Sequence, residues 1–292
     1  MPGGGGLLQA IFAFLSAGFI AFRGFKKNRL TKGGALAALM VGGTTLAVTW
    51  RFGLCLLLFY YSSSQLTKFG RKKKAKIEAD HDQDARRGLE QVLSCSATAV
   101  IYSLVWLTMF SQNDLPVDYE ANFIASFLLC SYMGFFACCN GDTWASELGT
   151  LSDSPSATMI TTLKDVPKGT NGGLSVVGTL ASVAGGAFIG LVFYIVGFVC
   201  VLNSTNILQW PLVPFGALMG FTGSMVDSLL GATFQESWVD DKTGMIVKPS
   251  KVQMMPSFRK ISGSDVLSNE QVNLVSATFT SIFAGLLGAF IF

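Results

Sequence analysis

Apolar residues run through this chain in stretches of about 20, the length an α-helix needs to cross a hydrocarbon layer ~30 Å thick. The stretches cover residues 7–22, 33–66, 92–110, 121–139, 174–202, 211–232 and 272–292. The second has 34 residues and is interrupted only by Arg51. That is too long for one ordinary span, so it divides into two short helices, 33–49 and 52–66, meeting at Trp50 and Arg51. A helix of ~17 residues is ~25 Å long and needs slight bilayer thinning or support from its neighbours. The pattern therefore predicts an all-α, polytopic transmembrane helix bundle of about eight spans, a single membrane domain over residues 1–292.

Basic residues orient the bundle, because Lys and Arg concentrate in cytoplasmic loops. With eight spans and the N-terminus outside, segments 23–32, 67–91, 140–173 and 233–271 face the cytoplasm. They hold 5, 8, 2 and 5 Lys/Arg, 20 of the 21 in the chain, and only Arg51 is left at the opposite face. Seven spans would place the basic segments 23–32 and 67–91 on opposite sides. The connection 111–120 carries Asp114, Asp118 and Glu120 and no base, as a lumenal loop should. Both termini are then lumenal or outside, and segments 67–91 and 233–271 are cytoplasmic loops. The first stretch has its charges after it (Arg23, Lys26, Lys27, Arg29), which reads as a retained anchor and not as a cleaved signal.

Composition agrees: 50% of residues are hydrophobic and 13% charged, against ~25% charged in soluble domains, and the mean hydropathy is +0.49. Cys55, Cys95, Cys130, Cys138, Cys139 and Cys200 all fall in or at the ends of apolar stretches, without metal-ligand spacing, and read as small buried hydrophobes. His81 is the single histidine and lies in a hydrophilic loop, which excludes a histidine-ligated metal or a catalytic triad. The segment 68–90, containing RKKKAKIEADHDQDARRGLE, reads first as a solvated face and second as an attraction for anionic lipid or a phosphorylated ligand.

Four polar blocks interrupt this background. In GDTWASELG (141–149), Asp142 and Ser146 share a helix face and Thr143 and Glu147 the adjacent one. A carboxylate at a helix boundary is costly unless paired, hydrated or bound to a cation, although Asp142 as a helix cap is the structural alternative. In VPKGTNGGLS (166–175), Gly169, Gly172 and Gly173 allow backbone N–H groups to turn around an anion, and the following helix N-terminus adds positive potential. Thr170 and Asn171 add donors and Lys168 a charge; an ordinary connector explains the loop equally well. In GSMVDSLLGATFQ (223–235), Asp227, Gly231 and Gln235 recur every fourth residue, and Asp227 should point into a hydrated cavity. In NEQVNLVS (269–276), Asn269 and Asn273 share a face; Asn269 also fits as a cap. The topology puts all four at cytoplasmic helix ends. Three acids, amides, hydroxyls and a glycine cradle, without histidine, suit Mg²⁺ and phosphate chemistry, since Mg²⁺ takes few carboxylates plus phosphate oxygens.

GDTWASELG, VPKGTNGG, GSMVDSLLGAT and NEQVNLVS resemble the hallmark blocks of the transmembrane protein 19 family, and SSSQLTK (62–68) and DDKTGMIV (240–247) resemble its eukaryotic members. The resemblance covers nearly the whole chain. The family includes the plant phytyl phosphate kinase, and its GD block and P-x-G-x-x-G-G loop are distantly similar to those of CTP-using phytol and dolichol kinases and of phosphatidate cytidylyltransferase. Lys164 and Asp165 are similar to the cytidylyltransferases' KD pair. Glu147 and Leu148 stand where that family's Lys–Arg would fall, which counts against a cytidylyltransferase. The resemblance implies a membrane lipid-phosphate kinase that passes a phosphoryl group from a nucleoside triphosphate, CTP by preference, to a polyisoprenyl or phytyl-type monophosphate. Asp142, Asp227 and Glu147 would be catalytic and hold Mg²⁺. Thr143, Ser146, Lys168, Gly169, Thr170, Asn171, Gly172, Gly173, Ser228, Gln235, Asn269 and Asn273 would bind nucleotide and phosphate. The expected partners are membrane lipids, the lipid phosphate and nucleotide, with no nucleic acid, in an intracellular membrane such as the endoplasmic reticulum with the active face cytoplasmic. The rival readings are a transporter or scramblase, for which intramembrane Asp227 and the glycine-interrupted stretch 174–202 also speak, and a non-catalytic membrane protein.

Overall fold

The computed structural model describes residues 4–74, 86–152, 154, 156–201, 209–247 and 257–292. Its helices are α1 (Gly4–Lys26), α2 (Lys32–Val48), α3 (Trp50–Lys74), a short α4 (Leu89–Ser94), α5 (Ala97–Phe110), α6 (Phe123–Leu151), α7 (Val176–Val201), α8 (Leu212–Phe234) and α9 (Asn269–Gly288). Helix occupies every apolar stretch of the sequence. Five of them are long and apolar enough to cross a membrane: Gly6–Lys26, Phe123–Leu151, Val176–Cys200, Leu212–Phe234 and Asn269–Gly288. The apolar helices α2 and α5 are shorter, with 17 and 14 residues, and α3 ends in the basic run GRKKK. The chain is an integral, multi-pass membrane protein. His81 and the centre of the charged segment 67–91 lie outside the described residues.

Helix α6 is the axis of the bundle. It is apolar all round through its first four turns, as a helix with no solvent face must be, and 83% of its most apolar window is buried. Tyr132, Met133, Phe135 and Phe136 are fully buried there, and α3, α5, α7, α8 and α9 pack around it. Helices α7 and α8 meet backbone to backbone: a Cβ built on Gly186 would stand 2.2 Å from the Gly216 carbonyl oxygen. Small residues at such crossings replace the hydrophobic drive that lipid removes.

The break inside stretch 33–66 falls at Thr49, one residue before the predicted junction. Thr49 is extended (φ −143°, ψ 152°), and its hydroxyl accepts the Phe52 N–H at 3.2 Å, capping α3. Arg51, the one base on the far face, is not free there. It is buried at 1% exposure, pairs with Asp114 at 3.0 Å and lies over the Phe193 ring, 5.1 Å from its centroid. The acidic loop after α5 thus supplies the counter-ion of this buried base.

The connections on the opposite side carry the two sheets found among the described residues. Strands β1 (Ala157–Met159), β2 (Asp165–Val166) and β3 (Gly173–Leu174) form an antiparallel sheet in the order β2-β1-β3 between α6 and α7. Strands β4 (Ser237–Asp240), β5 (Ile246–Val247) and β6 (Phe258–Ser262) form a second in the order β5-β4-β6 between α8 and α9. Segment 233–271, read as a loop, carries this small sheet among its described residues. The membrane portion is all-α, as the periodicity requires.

Candidate functional site

The first polar block corrects the boundary drawn at residue 139. Helix α6 continues unbroken to Leu151, so Asp142 lies in its interior and cannot be a cap. Opposite it, α8 brings Asp227 and α9 brings Asn273 and Ser276. The four line one small cavity of about 20 Å³ together with Thr143, Cys95, Cys138 and Cys139, room for about one water-sized species. The Ser276 hydroxyl donates to Asp227 Oδ2 at 2.8 Å, fixing that carboxylate. Glu147 stands one turn further along α6, buried at 5% exposure, where its Oε1 accepts the Thr67 hydroxyl of α3 at 3.0 Å. Among the described residues no three His, Cys, Asp or Glu side chains gather as a metal cluster. Asp142, Asp227 and Glu147 therefore do not make a protein-only cage. Asp142 and Asp227 are the residues that would hold Mg²⁺ here, with the rest of its shell coming from phosphate and water, as that ion takes few carboxylates.

The glycine loop is built differently from the cradle the sequence suggested. Gly169 and Gly172 both have positive φ (85° and 80°), which glycine adopts without strain. Gly172 also packs on α8, since a Cβ there would fall 2.4 Å from that of Ala232. Three of the loop's five N–H groups are engaged internally: Thr170 on the Pro167 carbonyl, Asn171 on Ser237 Oγ and Gly173 on the Thr170 carbonyl. Thr170 is buried, its hydroxyl donating to the Pro167 carbonyl at 2.6 Å. Lys168 is not aimed as a free charge either. Its ammonium donates to the Ser152 carbonyl and hydroxyl, tying the loop to the end of α6. Two positions are refined. Gln235 is the extended C-cap of α8, and its amide oxygen lies over Gly231, 3.0 Å from where a Cβ would stand, so the amide still sits on the face of Asp227 and Gly231. Ser268, in a capping box with Gln271, caps α9, and Asn269 is its exposed first residue.

A larger cavity of about 1800 Å³ joins these pieces. Asp142, Thr143, Ser146, Glu147, Lys168, Gly169, Thr170, Asn171, Gly172, Gly173, Asp227, Ser228, Gln235, Asn269 and Asn273 all line it. Its acidic wall comes from α6, α8 and α9. The facing wall is basic: Lys27 and Arg29 from the α1–α2 turn, Lys68 from α3, and Arg86 and Arg87 before α4. The main chain stitches that wall together, Arg87 N–H donating to the Arg29 carbonyl at 2.9 Å and Thr31 N–H to the Arg87 carbonyl at 3.1 Å. Arg23 foremost, with burial, Arg29 and Lys68, holds the Lys27 ammonium below its usual range. Such crowding of like charge is relieved by an anion.

The model of the family described as integral membrane protein DUF92 matches residues 15–281. The chain belongs to this family. Protein PGR of Arabidopsis thaliana is 37% identical over 287 residues, 97% of this chain and 98% of that protein. An uncharacterized membrane protein of Synechocystis, sll0875, is 29% identical over 192 residues, 66% of each chain. Protein VTE6, chloroplastic, of Arabidopsis is 24% identical over 270 residues, 90% of this chain and 66% of that one. No solved structure matches.

Three features of this DUF92 chain escaped the sequence reading. Segment 68–90 was read first as a solvated face and second as an attraction for anionic lipid or a phosphorylated ligand, but the joining of Lys27 and Arg29 with Lys68, Arg86 and Arg87 on one cavity was not. Cys95, Cys138 and Cys139, read as filler, line the carboxylate cavity. Asn140, passed over beside GDTWASELG, is fully buried; its Oδ1 accepts from Ser62 and Ser63 of α3 at 2.9 and 3.3 Å, and its Nδ2 donates to the Gly185 carbonyl of α7 at 2.8 Å. The SSS run of α3 was the available signal, since serines in a membrane helix seek partners on other helices.

Proposed function

We propose that this DUF92 protein is a membrane lipid-phosphate kinase that converts a polyisoprenyl or phytyl-type monophosphate to its diphosphate, with a nucleoside triphosphate, CTP first, as donor. The observation that carries the reading is the single cavity with facing acidic and basic walls, into which all four polar blocks open. The motif resemblance to a family that includes the plant phytyl phosphate kinase supports it. In this reading the bundle has eight spans with the cavity on the cytoplasmic face.

The chemistry is an in-line displacement: the terminal P–O bond to the nucleotide breaks as a lipid-phosphate oxygen bonds to phosphorus, and nucleoside diphosphate leaves. The attacking oxygen is already anionic, so no strong base is needed and catalysis is positioning plus charge neutralisation. Mg²⁺, held by Asp142 and Asp227, would neutralise the nucleotide's phosphate charge. Ser276 keeps Asp227 oriented, and Thr67 orients Glu147. Lys27, Arg29, Lys68 and Arg87 face the phosphates, and Lys168 holds the loop that forms the cavity's edge.

The purified protein with phytyl monophosphate and CTP should form the diphosphate, and Asp142→Asn and Asp227→Asn should each abolish it. Full turnover in both variants would overturn the site assignment. Lipid flux in liposomes without nucleotide would establish a transporter in place of a kinase.

A further inference from the structure

The cavity has an arm that phosphate chemistry does not use. Beyond the basic wall it continues between α1, α2 and α3, lined by Ala17, Ala38, Val41, Leu46, Leu56 and Phe59. From the start of α2 at Lys32 to Leu46 is 14 residues, or ~21 Å of helix at ~1.5 Å per residue, about two thirds of a ~30 Å hydrocarbon core. The arm thus begins at the charged end and runs deep into the membrane. Its whole volume, about 1800 Å³, exceeds the ~300–1,000 Å³ of an ordinary small-molecule pocket, leaving space beyond one nucleotide.

The packing also leaves the arm a sideways entrance. Helix α1 packs along α2 and makes no comparable packing against α3 among the described residues. The two approach at both ends, where a Cβ on Gly24 would stand 3.4 Å from the Tyr60 hydroxyl and where the Phe12 and Trp50 ring centroids lie 5.7 Å apart, so the entrance is the stretch between these contacts. Leu8, Leu15 and Phe19 on α1's outer face are exposed, as lipid-facing residues are. A polar ligand in the arm would lose its hydrogen bonds to water without replacement, whereas an extended hydrocarbon loses nothing.

We infer that the α1–α2–α3 arm is the tail-binding groove for a single-chain lipid monophosphate, entered sideways between α1 and α3, with the phosphate at the Lys27–Arg87 wall. This rests on the kinase reading for the headgroup's fate but not for the tail's place. The test uses the detergent-purified full chain without nucleotide. Hexadecyl phosphate should bind at least about tenfold more tightly than butyl phosphate, since each buried methylene adds to the transfer energy. Ala38→Phe, which fills the groove, should weaken hexadecyl phosphate about tenfold and leave butyl phosphate unchanged. A diazirine at the tail end of hexadecyl phosphate should label the wild-type chain near Val41–Leu46 of α2, a readout that needs no variant to fold. Equal binding of the two phosphates, or labelling confined to the outer face of α1 or to α7 and α8, would overturn the groove. A chain that binds hexadecyl phosphate in the groove but never forms a diphosphate would overturn the kinase reading alone. One that phosphorylates butyl and hexadecyl phosphate equally would overturn the groove alone.

Discussion

Arg51 is the place where charge, topology and packing can be tested together. Its guanidinium and the Asp114 carboxylate are 2% and 9% exposed and 3.0 Å apart. Among the described residues Arg51 Nε and Nη1 have no hydrogen-bond acceptor. The cation is therefore held by one carboxylate and one aromatic face, that of Phe193. Asp114→Ala leaves it buried with the ring alone, and breaking a buried pair costs ~3–5 kcal/mol. At ~2 °C per kcal/mol for a chain of this size, the melting temperature should fall by about 6–10 °C. Replacing both partners, Arg51→Met with Asp114→Leu, removes the charge with its counter-charge and should recover most of that loss, because a well-packed apolar pair is often as stable as an ion pair. The assay is thermal unfolding of the detergent-solubilised single and double variants read as a double-mutant cycle. A double variant no more stable than Asp114→Ala, or an Asp114→Ala variant as stable as wild type, would refute the pairing as the reason Arg51 sits on that face.

Three other expectations follow from single contacts. Gly186→Val forces a side chain onto the Gly216 carbonyl, 2.2 Å from the position of the new Cβ, and should cost ~1–3 kcal/mol or prevent folding of the α7–α8 pair, seen as lost melting temperature. Lys168→Met should raise hydrogen exchange in segment 157–174, because it releases the tie to Ser152; unchanged exchange would return Lys168 to a phosphate-binding role. The Lys260 ammonium at 2.6 Å and the Trp238 N–H hold the Glu236 carboxyl below its usual 4.5. A depressed carboxyl stabilises the fold above its unfolded value and loses that stabilisation as pH falls through its folded value. Trp238 fluorescence should therefore change only below about pH 4.5, and Glu236→Gln should remove that change.

The helices were legible because membrane burial writes itself as length and apolarity, and even the Arg51 anomaly marked a real junction. What sequence spacing could not supply was how far α6 runs. GDTWASELG lies past the apolar stretch that ends at residue 139, yet Glu147 takes the Thr67 hydroxyl across the bundle and the helix continues to Leu151. The two small sheets were missed because strands of two to five residues, such as β2 and β6, have too few positions to show alternation. The four blocks converge as topology suggested, since one cavity takes in Asp142, Thr170, Asp227 and Asn273. Lys168, Asn171 and Gly172 also hold the loop in place, a function that residue type alone does not separate from ligand binding. The joining of the two basic segments was not legible for a different reason: Arg29 and Arg87 are distant in sequence, and a main-chain bridge between residues 29–31 and 87 brings them together.

The central claim is that the cavity transfers a phosphoryl group, and following that group tests it most directly. Purified protein given γ-labelled CTP and phytyl monophosphate in a single turnover should place the label on the terminal phosphate of the lipid diphosphate, with CDP released in equal amount and no transfer by Asp227→Asn. Label remaining in CTP, or released as inorganic phosphate while the lipid stays a monophosphate, would contradict the account.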